Sequence, residues 1–215
     1  MDPDYFIDVK QVASQNLIVI GNNEDGAGVF SSIIYSLKHQ QNKIEILHII
    51  NPLTDVDDGF EYFNNAYGEF EKIQFTKVSE LDNLLEEISM TIENRKNSNQ
   101  VKGNVIFVLS SINKIPRFKE SEVIDRLFTI LNEGPELGVH CFIHCDSLLS
   151  LKRTSINDYF SLFNHRIVFN LSQDGFYDVI GNNSIKNLKQ NRLVYYSDEL
   201  GKYQIIKPYE LINNL

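Results

Sequence analysis

The chain has 215 residues, 42% of them apolar and 23% charged. That is enough for one large α/β domain with a buried core, and too apolar for a disordered chain. Twenty Lys and Arg stand against 29 Asp and Glu, a formal net charge of -9, which argues against a surface that grips DNA phosphates by itself.

No apolar run reaches the roughly 18 residues of a membrane span, so no membrane contact by this domain is expected. Met1-Asp2-Pro3-Asp4 lacks the basic and apolar segments of a secretory leader. The expected place is the cytoplasm, with a parent protein free to be membrane-associated.

In chain order, Leu17-Ile18-Val19-Ile20 is wholly apolar and predicts a central parallel strand. A glycine-bearing turn over Gly21 to Gly28 follows, then a helix with Phe30, Ile33, Ile34 and Leu37 on one face. Ile44 to Ile50 predicts a second strand, closed by Asn51-Pro52. Asp55 to Gly68 reads as a short helix and surface loop, and Lys72 to Phe75 as a strand. Leu81, Leu84, Leu85, Ile88 and Ile92 form a helical stripe, with Ser79 as the expected N-cap. Asn94 to Asn104 reads as a loop and Val105 to Leu109 as a buried strand.

Glu122 to Leu131 predicts a helix ended by Gly134-Pro135, then a strand over Val139 to Ile143. A short helix near Tyr159-Phe163 precedes a strand at Ile167 to Phe169. Leu193 to Tyr196 and Tyr203 to Ile206 predict a terminal hairpin. The alternation of strand and helix predicts an α/β fold with a mainly parallel central sheet flanked by helices. One domain over 1–215 is expected, with 1–15 as an N-terminal extension.

A strand, a glycine loop and a helix have the layout of a P-loop. The loop reads Gly21-Asn22-Asn23-Glu24-Asp25-Gly26-Ala27-Gly28 and keeps the G-x-x-x-x-G-K-[ST] spacing. Ala27 stands where a lysine would reach the phosphates, and Gly28 where a hydroxyl would ligate magnesium. Glu24 and Asp25 add negative charge, and like charges about 4 Å apart repel by roughly 1 to 4 kcal/mol. A turn with no ligand is the simpler reading of this segment.

The apolar run Val105 to Leu109 ends in Ser110-Ser111, where an ATPase carries two carboxylates. Serine needs an activating partner to act as a base or nucleophile, and the sequence offers none nearby. Asp146 lies just past a strand end, where α/β sheets place ligands, and fits equally as the N-cap of a following turn. His140 and His144 fit satisfied structural histidines better than ligands. Cys141 and Cys145 fit buried reduced thiols. No metal, no cofactor and no catalytic residue is expected.

These segments together resemble the FtsK/SpoIIIE family, RecA-like ATPases that move double-stranded DNA or serve protein export in type VII secretion. Asn16 to Gly21 resembles the family's strand entering its phosphate loop. Val105 to Ser111 falls where its apolar strand ends in Asp-Glu. Glu133-Gly134-Pro135-Glu136-Leu137-Gly138-Val139-His140 resembles its Gly-Arg-x-x-Gly-Ile-His stretch. Cys145-Asp146-Ser147 falls on its Thr-Gln-Arg, whose glutamine senses the γ-phosphate. Arg166-Ile167-Val168-Phe169 matches its Arg-Ile-x-Phe strand.

The resemblance implies a RecA-like P-loop architecture. Ala27, Gly28, Ser110, Ser111 and Asp146 depart from it at five functional positions. It therefore implies a catalytically inactive module, the C-terminal part of a multi-domain protein. Such a module would serve a DNA translocase or secretion motor as a structural, regulatory or substrate-binding part. Its partners would be sibling ATPase domains and a peptide or protein substrate. The alternative is an ATP-binding motor subunit completed by residues from neighbouring subunits.

Overall fold

The structure is a computed structural model that describes residues 10–61, 70–98, 100–185 and 188–207, the side chains of residues 41 and 157 excepted. Its strands are β1 (Leu17–Ile20), β2 (Ile44–Ile50), β3 (Ile73–Phe75), β4 (Asn104–Leu109), β5 (Val139–Cys145), β6 (His165–Val168), β7 (Leu193–Ser197) and β8 (Lys202–Ile206). They form one sheet in the order β3-β2-β4-β5-β1-β6-β7-β8. The pairs from β3 through β6 are parallel. β7 and β8 are antiparallel and form the terminal hairpin.

The helices are α1 (Asn23–His39), α2 (Leu81–Ser98), α3 (Ser121–Glu133), α4 (Leu148–Leu151) and α5 (Gln173–Ile180). Strands without a polar break cannot face water on either side. β1 and the apolar run of β4 accordingly lie at the sheet's centre with β5 between them, and all three are buried at every position, His140 and His144 of β5 included. Side-chain alternation divides the core in two. Leu17, Val19, Ile106, Val108 and Phe142 pack with α1 residues Phe30, Ile34 and Leu37. Ile18, Ile20, Val105, Phe107 and Cys141 pack with α2, α3 and α5.

Several local expectations change. α1 begins at Asn23, so the wide turn expected over Gly21 to Gly28 shrinks to two residues. Asn22 caps the helix, its side chain accepting from Asp25 N at 2.8 Å. Ser79 is not an N-cap: it lies inside a 3-10 turn over Val78–Glu80, whose entry is closed by Lys77 N donating to Glu80 Oε2 at 3.2 Å. α2 runs on through Ser98 rather than ending in a loop at Asn94. Arg95 explains the extension: it is buried and donates to Leu137 O at 2.6 Å, Gly138 O at 3.1 Å and Glu45 Oε2 at 2.7 Å.

β5 is longer than expected and reaches Cys145, while β6 covers 165–168. The helix expected near Tyr159–Phe163 is a 3-10 segment over Ser155–Leu162. α4 and α5 were not expected; Ser147 and Ser172 cap them. Of the Asp55 to Gly68 expectation, residues 62–68 lie outside the described residues.

Candidate functional site at the carboxyl ends of the central strands

Parallel strands deliver their carboxyl ends to one edge, and the topology brings three of the singled-out segments together there. Gly21-Asn22 follows β1, Ser110-Ser111 follows β4, and Asp146 follows β5, which lies between the other two.

At their junction is the His144 ring, fully buried. Ser111 N donates to His144 Nδ1 at 3.1 Å. An amide N–H only donates, so Nδ1 accepts and the ring's proton sits on Nε2. From there it is given to Gly21 O at 2.9 Å. Burial pushes the His144 pKa down; the Gly21 carbonyl and the Asp146 carboxylate partly oppose this. The ring is therefore a neutral bridge joining the ends of β1, β4 and β5.

Ser111 is the second member. It sits at φ 43°, ψ 52°, the left-handed region that side chains disfavour. Two contacts hold it there: its N–H to His144, and its Oγ donating to Asn23 Oδ1 at 3.0 Å. Its Oγ also lies 3.3 Å from His144 Nδ1. The sequence reading missed this partner, because 33 residues separate the two. The pair has no general-base geometry, since Nδ1 is occupied by the serine's own N–H and both side chains are fully buried. Ser110 is buried alongside, its Oγ 3.5 Å from Ser111 Oγ.

The start of α1 packs directly on this bridge. A Cβ on Gly26 would lie 2.4 Å from the His144 ring, so only glycine allows the helix this close. Ala27 is fully buried. Over it folds the segment after β2, where Gly59 adopts φ +87°. A Cβ on Gly59 would lie 3.0 Å from Ala27 Cβ and 2.7 Å from Asn23 O. The segment thus lies in close contact with the Ala27 methyl group. Lys114, from the 3-10 turn after Ser111, pairs with Asp57 and fastens it.

The acidic residues of the turn also have structural work. Asp25 has its pKa raised, by burial first and by neighbouring Glu24 second, while the Asn22 N–H opposes. Glu24 is exposed, and both carboxylates lie in the first turn of α1, where the helix dipole favours them. Gly28 is helical, its carbonyl accepting from Ser32 Oγ at 2.9 Å.

Asp146 is set aside from the bridge. Its Oδ2 accepts from Asn113 Nδ2 at 2.8 Å and its Oδ1 from Ser147 Oγ at 3.0 Å. Ser147, not Asp146, is the N-cap of α4.

His140 lies near the other end of β5. Its Nδ1 bonds Gln15 O at 2.9 Å, and its Nε2 is buried without a partner. Cys141 and Cys145 are free and buried, with burial raising the pKa of both thiols. Among the described residues, no cluster of three or more His, Cys, Asp or Glu is arranged to hold a metal.

No family model and no curated protein matches the sequence. Solved structures do match the fold. EssC (ATPases 2 and 3) from Geobacillus thermodenitrificans superposes with a TM-score of 0.68 at 12% identity, over 93% of this chain and 40% of that one. EccC (ATPases 2 and 3) from Thermomonospora curvata, in complex with a signal sequence peptide, gives 0.63 at 14% identity, over 91% of this chain and 37% of that one.

The genome packaging NTPase B204 from Sulfolobus turreted icosahedral virus 2, in complex with ATP-gammaS, gives 0.63 at 12% identity, over 91% of this chain and 98% of that one. This chain thus spans about two-fifths of the EssC and EccC chains and nearly the whole of B204. The chain has the fold of an FtsK/SpoIIIE-type ATPase domain, as the sequence resemblance implies.

Proposed function

We propose that the chain is a non-catalytic ATPase-fold module, a single domain over 1–215, that serves a larger secretion or DNA-translocating motor by docking to sibling domains. The observation that carries this reading is the close packing around the loop that the resemblance assigns to nucleotide. Ala27 is sealed beneath Gly59, α1 starts two residues after β1, and the His144–Ser111 bridge occupies the space below Gly26. In this reading Gly21, Asn22, Asn23, Glu24, Asp25, Gly26, Ala27 and Gly28 are a vestigial nucleotide loop. Ser110 and Ser111 are the vestigial acidic pair, and Asp146 the vestigial sensor. The fold's neighbours in type VII secretion favour the motor context, and the peptide bound to EccC favours a peptide among the ligands. The net charge of -9 disfavours direct DNA binding by this domain alone.

Thermal unfolding with and without magnesium-ATP tests the reading. A site with a Kd of about 10 µM adds about 2.7 kcal/mol at about 1 mM ligand, or about 5–10 °C for a chain of this size. The expected result is no shift. A magnesium-dependent rise would instead favour an ATP-binding motor subunit completed by its neighbours; B204, whose fold this chain shares, is in complex with ATP-gammaS.

A further inference from the structure

Lys43 directly precedes β2, and Lys102 lies two residues before β4. β2 and β4 are neighbours, so both lysines stand at the amino edge of the sheet. Gly103 brings the two segments together: a Cβ there would lie 3.1 Å from Glu45 N and 3.4 Å from Lys43 O. Beside them is an open concavity of about 340 Å³ lined by Gln11, Lys43, Val101, Lys102, Gly103 and Asn104. Glu45 is taken by Arg95 at 2.7 Å. Among the described residues neither Lys43 nor Lys102 makes an ion pair, and both are exposed. This is a basic, mainly polar dip, with Val101 as its one apolar side chain, on a chain of net charge -9.

The opposite edge carries its complement. After β2 the chain turns outward, with Val56 88% exposed between exposed Asp55 and Asp58. The tip is braced from within. Thr54 N and Oγ1 donate to Asp57 Oδ2 at 2.9 and 3.1 Å, and Lys114 pairs with Asp57. Asp55 and Asp58 make no ion pair among the described residues. A braced tip docks without first being ordered, which lowers the cost of association.

We propose that tip and dip form a docking contact between copies of this chain: Asp55 and Asp58 of one face Lys43 and Lys102 of the next, with Val56 against Val101. Tip and dip are different patches, so the contact is heterologous and leaves a free tip and a free dip for further copies. The proposal rests on the reading of the chain as a docking module and names one docking surface.

Sedimentation velocity over a concentration series tests it, at about 50 mM and about 500 mM salt. The sedimentation coefficient is expected to rise with concentration at low salt and to lose that dependence at high salt. Lys43→Glu with Lys102→Glu, and separately Asp55→Lys with Asp58→Lys, are each expected to abolish association. All four positions are exposed, so the fold should tolerate the changes. An equimolar mixture of the two double variants is expected to associate again, because acidic tips then meet basic dips and basic tips meet acidic dips. The variants carry -9 - 4 = -13 and -9 + 4 = -5, so their net charges repel and only the patches attract.

A monomer at every concentration overturns the proposal. So does association indifferent to salt and to both variants, or a mixture that stays monomeric. The two readings fail separately. A chain that ATP stabilises but that still self-associates sinks the non-catalytic reading alone, and a nucleotide-indifferent monomer sinks the contact alone.

Discussion

Ala27 is the residue at which the functional reading is most exposed to test. Its methyl group is buried beneath Gly59. Ala27→Lys therefore forces an ammonium into an apolar contact or lifts the covering segment. The expected result is a loss of about 3–5 kcal/mol in urea unfolding, as for an uncompensated buried charge, with no ATP-dependent gain in Tm. A folded Ala27→Lys chain that ATP stabilises would mean the loop keeps a cradle.

His140 gives a prediction in pH. Burial is the main cause that pulls its pKa from 6.5 down to about 4; the Gln15 carbonyl opposes this, while Arg95 and His165 add to it. Between these values the unfolded chain takes a proton that the fold refuses. Stability is therefore full above pH 6.5 and falls as pH drops toward about 4. The loss is on the order of 3 kcal/mol. His144 and His48, also lowered chiefly by burial, push in the same direction. His140→Gln should flatten part of this slope in urea unfolding followed from pH 7 to pH 4; an unchanged slope would assign it to other groups.

Among elements, the connection from β6 through α5 to the hairpin depends on Arg166. It is buried and donates to Phe163 O at 3.1 Å, Val179 O at 2.7 Å and Phe160 O at 3.0 Å, and it pairs with Asp198. Its guanidinium also stacks over Tyr196, 5.2 Å from the ring centroid. One side chain thus ties the 3-10 segment, the end of α5 and the end of β7 to β6. A lysine has one ammonium in place of this planar fork. Arg166→Lys is expected to cost about 2–3 kcal/mol, or about 5–10 °C in Tm. A shift within about 1 °C would show that the hairpin is held by its apolar contacts alone.

α5 shows what was legible at this scale. Phe176, Val179 and Ile180 recur at helical spacing, with Ser172 before and Gly181 after. Eight residues containing Gly175 are too short and too permissive for that pattern to stand out. The longer stripe of α2 was plain, but its last turn was not, because Arg95 is fixed by carbonyls more than 40 residues away.

For the whole molecule, the sequence by itself determined the strand runs, their alternation with helices and hence the α/β class. Leu17–Ile20 and Val105–Leu109 have no polar position to turn outward, so they had to lie at the centre of a covered sheet. It also determined which chemical groups the candidate site lacks, since no arrangement gives Ala27 an amine or Ser110 and Ser111 a carboxylate. Only the tertiary structure decided what occupies the space instead. His144 meets Ser111 and Gly21 because β5 lies between β4 and β1, and a sheet's strand order is not written in chain order. Asn16, buried between Leu131 O at 2.9 Å, Leu162 O at 2.8 Å and Cys141 N at 2.9 Å, likewise gave no local signal. Periodicity reports what a residue's own element buries, whereas these side chains are fixed by partners between 33 and 146 residues away.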